Sequence, residues 1–131
     1  MLRFLIAAPL LMHGLANLAG LFAPWSQSLL GFSERPWVFS EGVTLRSGVG
    51  RAYSLLWLAS SLLLAGAGLA VLFHWEAWRE LAVAGSAASL ASIAPWWRAV
   101  PPGARFGAVF DVCALAVLLS PWGEAIALAV R

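Results

Sequence analysis

The sequence predicts an all-α fold, an integral membrane four-helix bundle in which consecutive helices are antiparallel neighbours. Three observations predict it. Apolar stretches at 2–24, 48–73, 78–97 and 103–121 are each about as long as the roughly 20 residues a helix needs to cross ~30 Å of hydrocarbon. Charged residues make up 11% of the chain, against about 25% in soluble domains, so little polar surface remains to face water; mean hydropathy is +0.86. The tryptophans fall mostly at the ends of the stretches, where amphipathic indole rings collect at membrane interfaces. Trp25 closes the first, Trp75 and Trp78 bracket the second turn, Trp96 and Trp97 close the third, and Trp122 follows the fourth.

Residues 1–131 read as a single transmembrane domain. In the first stretch Arg3 precedes an apolar run in the manner of a signal peptide, but the run is longer than a typical h-region and is interrupted by His13 and Asn17. It is therefore expected to be a retained helix. The longest connection, 25–47, carries Leu29, Leu30, Phe32, Trp37, Val38 and Phe39. It is too apolar for a solvated loop and is expected to lie in the interface or to cap the bundle. The turns after the second and third stretches are short, which makes their helices antiparallel. Pro101 and Pro102 end one helix and launch the next. Beyond Pro121, residues 123–131 fit either a continued helix or an interfacial one.

The basic residues are all arginine, and Ala and Gly are abundant, the composition of a GC-rich bacterial genome; the expected location is the bacterial cytoplasmic membrane, with multiple passes. A net charge of +2 is too small to imply a nucleic acid partner. Arg35, Arg46, Arg51, Arg98 and Arg105 fall on the side of the first and third connections, against Arg3, Arg79 and Arg131 on the other, so the positive-inside rule places both chain ends outside. A single cysteine, Cys113, permits no intramolecular disulfide.

Small residues recur every four positions as Ala84, Ala88 and Ser92, as Ala77, Leu81, Gly85 and Ser89, and as Gly103, Gly107 and Asp111. Such rows let helix backbones approach closely in lipid, and packing accounts for most of the serines as well.

Chemistry is expected at ionisable groups placed at membrane depth, where a charge costs ~2.5 kcal/mol or more and is rarely kept without a partner or a use. His13 and Asp111 qualify. His13 precedes Trp25 by ~18 Å along the helix axis and Asp111 follows Gly103 by ~12 Å, both measured from one membrane face, so they lie at similar depth. His13 shares a stripe with Pro9, Asn17 and Gly20, which should face other helices. Tyr53, Trp57 and Ser60 lie on a comparable stripe of the second helix, and the long side chain of Arg51 is expected to reach down toward Asp111. His13 and Asp111 are the candidate catalytic residues, and Asn17, Arg51, Tyr53 and Trp57 the candidate ligand-binding ones. The plain alternative is that these groups tie helices together. His13 and His74 lie on opposite sides of the bilayer by this topology and cannot share a metal, and the sequence contains no metal-binding or nucleophile motif.

The stretch Met12-His13-Gly14-Leu15-Ala16-Asn17-Leu18-Ala19-Gly20, followed by three further apolar stretches, resembles the small bacterial DoxX-like membrane proteins. Their first helix often carries the pattern H-G-x-x-H-x-x-G, and here Asn17 stands at the second histidine position. The resemblance implies a four-helix bundle in the cytoplasmic membrane and an association with quinone-linked or oxidative-stress redox systems.

Three functions stay open. The protein binds a lipophilic small molecule, quinone or lipid-like, in an intramembrane pocket; or it is an accessory subunit held to a membrane protein partner or to further copies of itself; or it is an intramembrane enzyme that uses His13 and Asp111 on a lipophilic substrate. A pocket protein should gather His13, Tyr53 and Asp111 around one cavity, and an accessory subunit should have a solid core.

Overall fold

The computed structural model describes residues 1–130. Among them are five α-helices and no strands: α1 (Leu2–Phe22), α2 (Gly48–Leu72), α3 (Trp78–Ile93), α4 (Pro102–Leu118) and α5 (Pro121–Ala129). Arg131, counted above in the charge balance, lies outside the described residues.

Local chemistry sets the helix boundaries. Ser47 caps α2 by accepting from the Gly50 amide at 3.2 Å. Past α2, His74 adopts a left-handed conformation, φ 61°, and the chain reverses into α3. Pro24 and Pro95 each draw a helix end into a 3-10 turn, Ala23–Trp25 and Ala94–Trp96. Pro102 opens α4 at a position where its missing amide hydrogen costs nothing. Ser120 caps α5 by accepting from the Trp122 amide, with Pro121 in its first turn.

Two of these helices are individually long and apolar enough to cross a membrane, α1 with its terminal turn (Leu2–Trp25, 24 residues) and α2 (25 residues). A third candidate exists only if α4 and α5 count as one span, and they are bent by 88°. The expected stretches at 78–97 and 103–121 form α3 and α4 without reaching that length and apolarity on their own. α3 has 16 residues, ~24 Å of helix, because Pro95 tightens its end and Arg79, Glu80 and three serines dilute its apolar character. α4 stops at Leu118 because the break at Leu119 and Ser120 turns the chain aside.

The order of packing follows the chain: α1 lies on α2, α2 on α3 and α3 on α4, whereas α1 and α4 meet sparsely. Close backbone approach fixes the register. Leu11 of α1 fills the space left by Gly68, and Leu64 that left by Gly85. Contacts joining each end of α3 to the opposite end of α4 make this pair antiparallel: Arg79 Nε donates to Leu118 O at 2.9 Å, and Arg105 Nη2 donates to Trp97 O at 3.2 Å. Gly85, Ser89 and Ser92 are buried, but Ala77 and Ala84 are exposed, so each small-residue row packs inward only toward the end of α3. Gly103 likewise has open space around it.

The interior divides into two apolar halves. One, near the chain termini, gathers Ala7, Leu10, Leu64, Val71, Trp78 and Leu118. The other, at the opposite end, gathers Ala23, Phe32, Leu45, Trp57, Ile93 and Trp96. Trp78 and Trp96 are therefore packed into the core. The connection after α1 closes this second half: Leu29, Phe32 and Leu45 are buried, Ser33 N donates to Ala99 O and Val38 N to Pro95 O, each at 2.8 Å. Apolar side chains also cover the outside, among them Met12, Leu15, Leu55, Leu62, Phe106 and Val109, where a soluble protein would present polar groups.

Candidate functional site

Between the two apolar halves every one of α1 to α4 contributes a polar side chain. α1 supplies His13 and Asn17, one turn apart and on the same face. α2 supplies Ser60, α3 supplies Ser89, and α4 supplies Asp111. His13 Nε2 lies 3.0 Å from Asp111 Oδ1 and 3.3 Å from Ser89 Oγ. Asn17 Nδ2 donates to Ser60 Oγ at 3.0 Å and to Ser89 Oγ at 3.4 Å. Ser60 Oγ donates in turn to Gly85 O at 3.0 Å. The result is a continuous hydrogen-bonded layer across four helices.

Asp111 is fully buried, and its Oδ2 has no hydrogen-bond partner. An acceptor left unsatisfied in the interior costs on the order of 1–3 kcal/mol, so the carboxyl group is held against an energetic penalty. The imidazole packs against α4 with Cε1 nearest the backbone. A Cβ at Gly107 would stand 2.7 Å from His13 Cε1, and the Phe110 ring packs at 5.0 Å between centroids. The ring meets Asp111 and Ser89 through Nε2, which leaves Nδ1 as its other polar edge. Nδ1 has no hydrogen-bond partner among the described residues.

His13 with Asp111 and Phe110 closes the middle of the sparse α1–α4 seam, and a cavity lies on either side. The first, about 210 Å³, is lined by His13, Asn17, Gly20, Phe32, Trp57, Ile93 and the start of α4. Gly20 shapes its wall, since a Cβ there would be 2.4 Å from the Trp57 ring. The second, about 280 Å³, is bounded by apolar side chains including Leu5, Pro9, Phe110 and Val117, with Cys113 at its edge.

The candidate residues separate accordingly. His13, Asn17 and Trp57 border the first cavity, and Asp111 stands behind His13 without lining it. Two expectations are corrected. Arg51 does not approach Asp111: it lies nine residues from Ser60, about 13 Å along α2, and its guanidinium stacks on Trp25 at 4.9 Å. Tyr53 also lies away from the cavity, its hydroxyl donating to Ala91 O at 2.7 Å and its ring packed beside Trp37, Trp57 and Trp96. Ser60 and Ser89, read from sequence as packing residues, belong to the layer. Depth counting signals Ser60, which follows Gly48 by twelve residues as His13 precedes Trp25 by twelve. Among the described residues no three His, Cys, Asp or Glu side chains are grouped so as to hold a metal ion.

Fold and site define an all-helical protein with two helices, or three if the bent pair is one span, able by length and apolarity to cross a membrane, organised around a buried His–Asp layer. Compared with models of known families, with curated proteins and with solved structures, the chain matches none.

Proposed function

We propose that the chain is a four-helix protein of the bacterial cytoplasmic membrane, related to the DoxX-like proteins, that binds a lipophilic small molecule with its polar head in the cavity between α1 and α4. The observation that carries this reading is the composition of that cavity: apolar walls with two hydrogen-bonding side chains, His13 and Asn17, at its inner end. Ligand sites combine apolar walls with a few placed polar groups in this way. At about 210 Å³ the space is smaller than the roughly 300–1,000 Å³ of sites that enclose a whole drug-sized ligand. It suits a ring-sized head with a hydrocarbon tail leaving through the seam into lipid. A quinone or another isoprenoid or lipid-like molecule has that form.

His13 is the group that would touch such a head. Asp111 orients the imidazole through Nε2, which leaves Nδ1 as the ring nitrogen free to contact a polar head. Native mass spectrometry of the protein released from lipid nanodiscs tests the reading. A stoichiometric small molecule on the parent protein, lost in His13→Gln, supports it. A ligand-free chain bound to another polypeptide overturns it in favour of the accessory-subunit reading, which one feature favours: the exposed groove of Val83, Ala84 and Ala87 on α3.

A further inference from the structure

A second site lies away from the layer, at the junction where the first candidate span ends at Trp25 and the second begins at Gly48. Pro24, Trp25, Ser26, Gln27, Arg46 and Arg51 enclose a crevice of about 240 Å³ there. We infer that this crevice binds the phosphate group of an anionic membrane lipid, held between the guanidinium groups of Arg46 and Arg51.

Arg51 carries the inference. Its guanidinium lies over the Trp25 ring at 4.9 Å, and among the described residues it makes no hydrogen bond and no ion pair. Stacking fixes the plane of the group and leaves its edge free, and that edge presents N–H donors in the fork that matches a phosphate. Arg46 is anchored differently: Nη2 donates to Ser26 O at 3.2 Å and Gln27 O at 2.8 Å, and Nη1 pairs with Glu34 Oε1 at 2.8 Å. That holds its cation at the rim of the crevice, with its charge partly balanced, while Arg51 stays uncompensated.

Depth argues for a lipid as the source of the phosphate. Trp25 ends an apolar span, and indole rings at such positions sit at headgroup level. Arginine beside them extends its charged end into the same layer. A phosphodiester enters that zone with every lipid, and an anionic lipid is favoured over a zwitterionic one by the unbalanced charge of Arg51.

The test is native mass spectrometry of the full chain in detergent, titrated in parallel with phosphatidylglycerol, phosphatidylcholine and inorganic phosphate. The expected result is one tightly retained phosphatidylglycerol, little retained phosphatidylcholine, and no competition by millimolar inorganic phosphate. Arg51→Gln should weaken retention about tenfold, the loss of one charge-assisted contact, and Arg51→Lys should recover only part of it. Arg35→Gln, which removes an exposed charge from the same connection, should leave it unchanged. Equal loss in Arg35→Gln and Arg51→Gln overturns the site in favour of general charge attraction. Equal retention of the two lipids overturns the anionic preference, and displacement by inorganic phosphate overturns the lipid source. Comparing melting temperatures in lipid-free detergent separates loss of the site from loss of fold: Arg51→Gln should melt with the parent there, and a lower melting temperature that accounts for the lost retention overturns the assignment of a direct contact.

Discussion

Gly107 lies beneath the imidazole of His13, so close that a Cβ at 107 would stand 2.7 Å from Cε1 and 3.3 Å from Nδ1. The absence of a side chain on α4 is what lets α1 approach near enough for His13 to reach Asp111. Gly107→Ala should therefore push the ring away and destabilise the protein by about 1–3 kcal/mol, the usual cost of overpacking. Gly103→Ala, four residues earlier and in open space, should be neutral or slightly stabilising through helix propensity. Thermal unfolding of both variants in one detergent checks this, and equal melting temperatures would remove the close approach as a constraint.

The His13–Asp111 contact should appear as an energetic coupling. A double-mutant cycle of His13→Gln and Asp111→Asn is expected to give about 0.6 kcal/mol and at most ~1.7, the range for hydrogen bonds between membrane helices. Each variant keeps a polar group of similar size, so the cycle isolates the pair. A coupling indistinguishable from zero would mean that the two side chains act independently.

How much of this layer is legible in the sequence depends on what is asked. Counting residues from the helix ends brings His13 and Asp111 to one level, because rise per residue is fixed. Direction around the helix is not fixed in that way. Arg51 and Tyr53 lie toward one end of α2 and find local partners, Trp25 and the Ala91 carbonyl, that depend on how the connection folds back. Ser60 and Ser89 read as packing residues for another reason: serine is common at helix contacts in lipid, and only the placement of Asn17 opposite both shows that they continue a network. The long apolar runs announce α1 and α2, but the short α3 and the bend before α5 are set by Pro95 and Pro121, whose effects reach beyond what hydropathy measures.

Trp57 and Gly20 form a second size-matched pair. Gly20→Ala would place a methyl group 2.4 Å from the indole, and Trp57 is almost fully buried, so the ring has little room to yield. The variant should lose about 1–3 kcal/mol. Trp57→Leu alone should also destabilise, by leaving a void, but adding it to Gly20→Ala should cost less than the two separate losses combined. Strict additivity in denaturant-induced unfolding would count against the contact.

The bend between α4 and α5 makes a last prediction, on dynamics. Arg79 of α3 donates to the Leu118 carbonyl twice, from Nε at 2.9 Å and from Nη2 at 2.7 Å. That carbonyl belongs to the last turn of α4, where groups are left without helical partners and where a cation is favoured by the helix dipole. Arg79 thus stands in for the hydrogen bonds that a continuing helix would have made, and holds the chain where it turns by 88°. Arg3 acts on the far side of the turn, its Nε donating to Val130 O at 2.8 Å. Arg79→Gln should release the junction without unfolding the helices, since the buried contacts of α3 lie on other residues. Hydrogen exchange at residues 119–124 should accelerate several-fold, while amides in the middle of α2 keep their protection. Faster exchange throughout the chain would instead make Arg79 a determinant of global stability, and unchanged exchange at 119–124 would show that Pro121 and the Ser120 cap suffice to hold the turn.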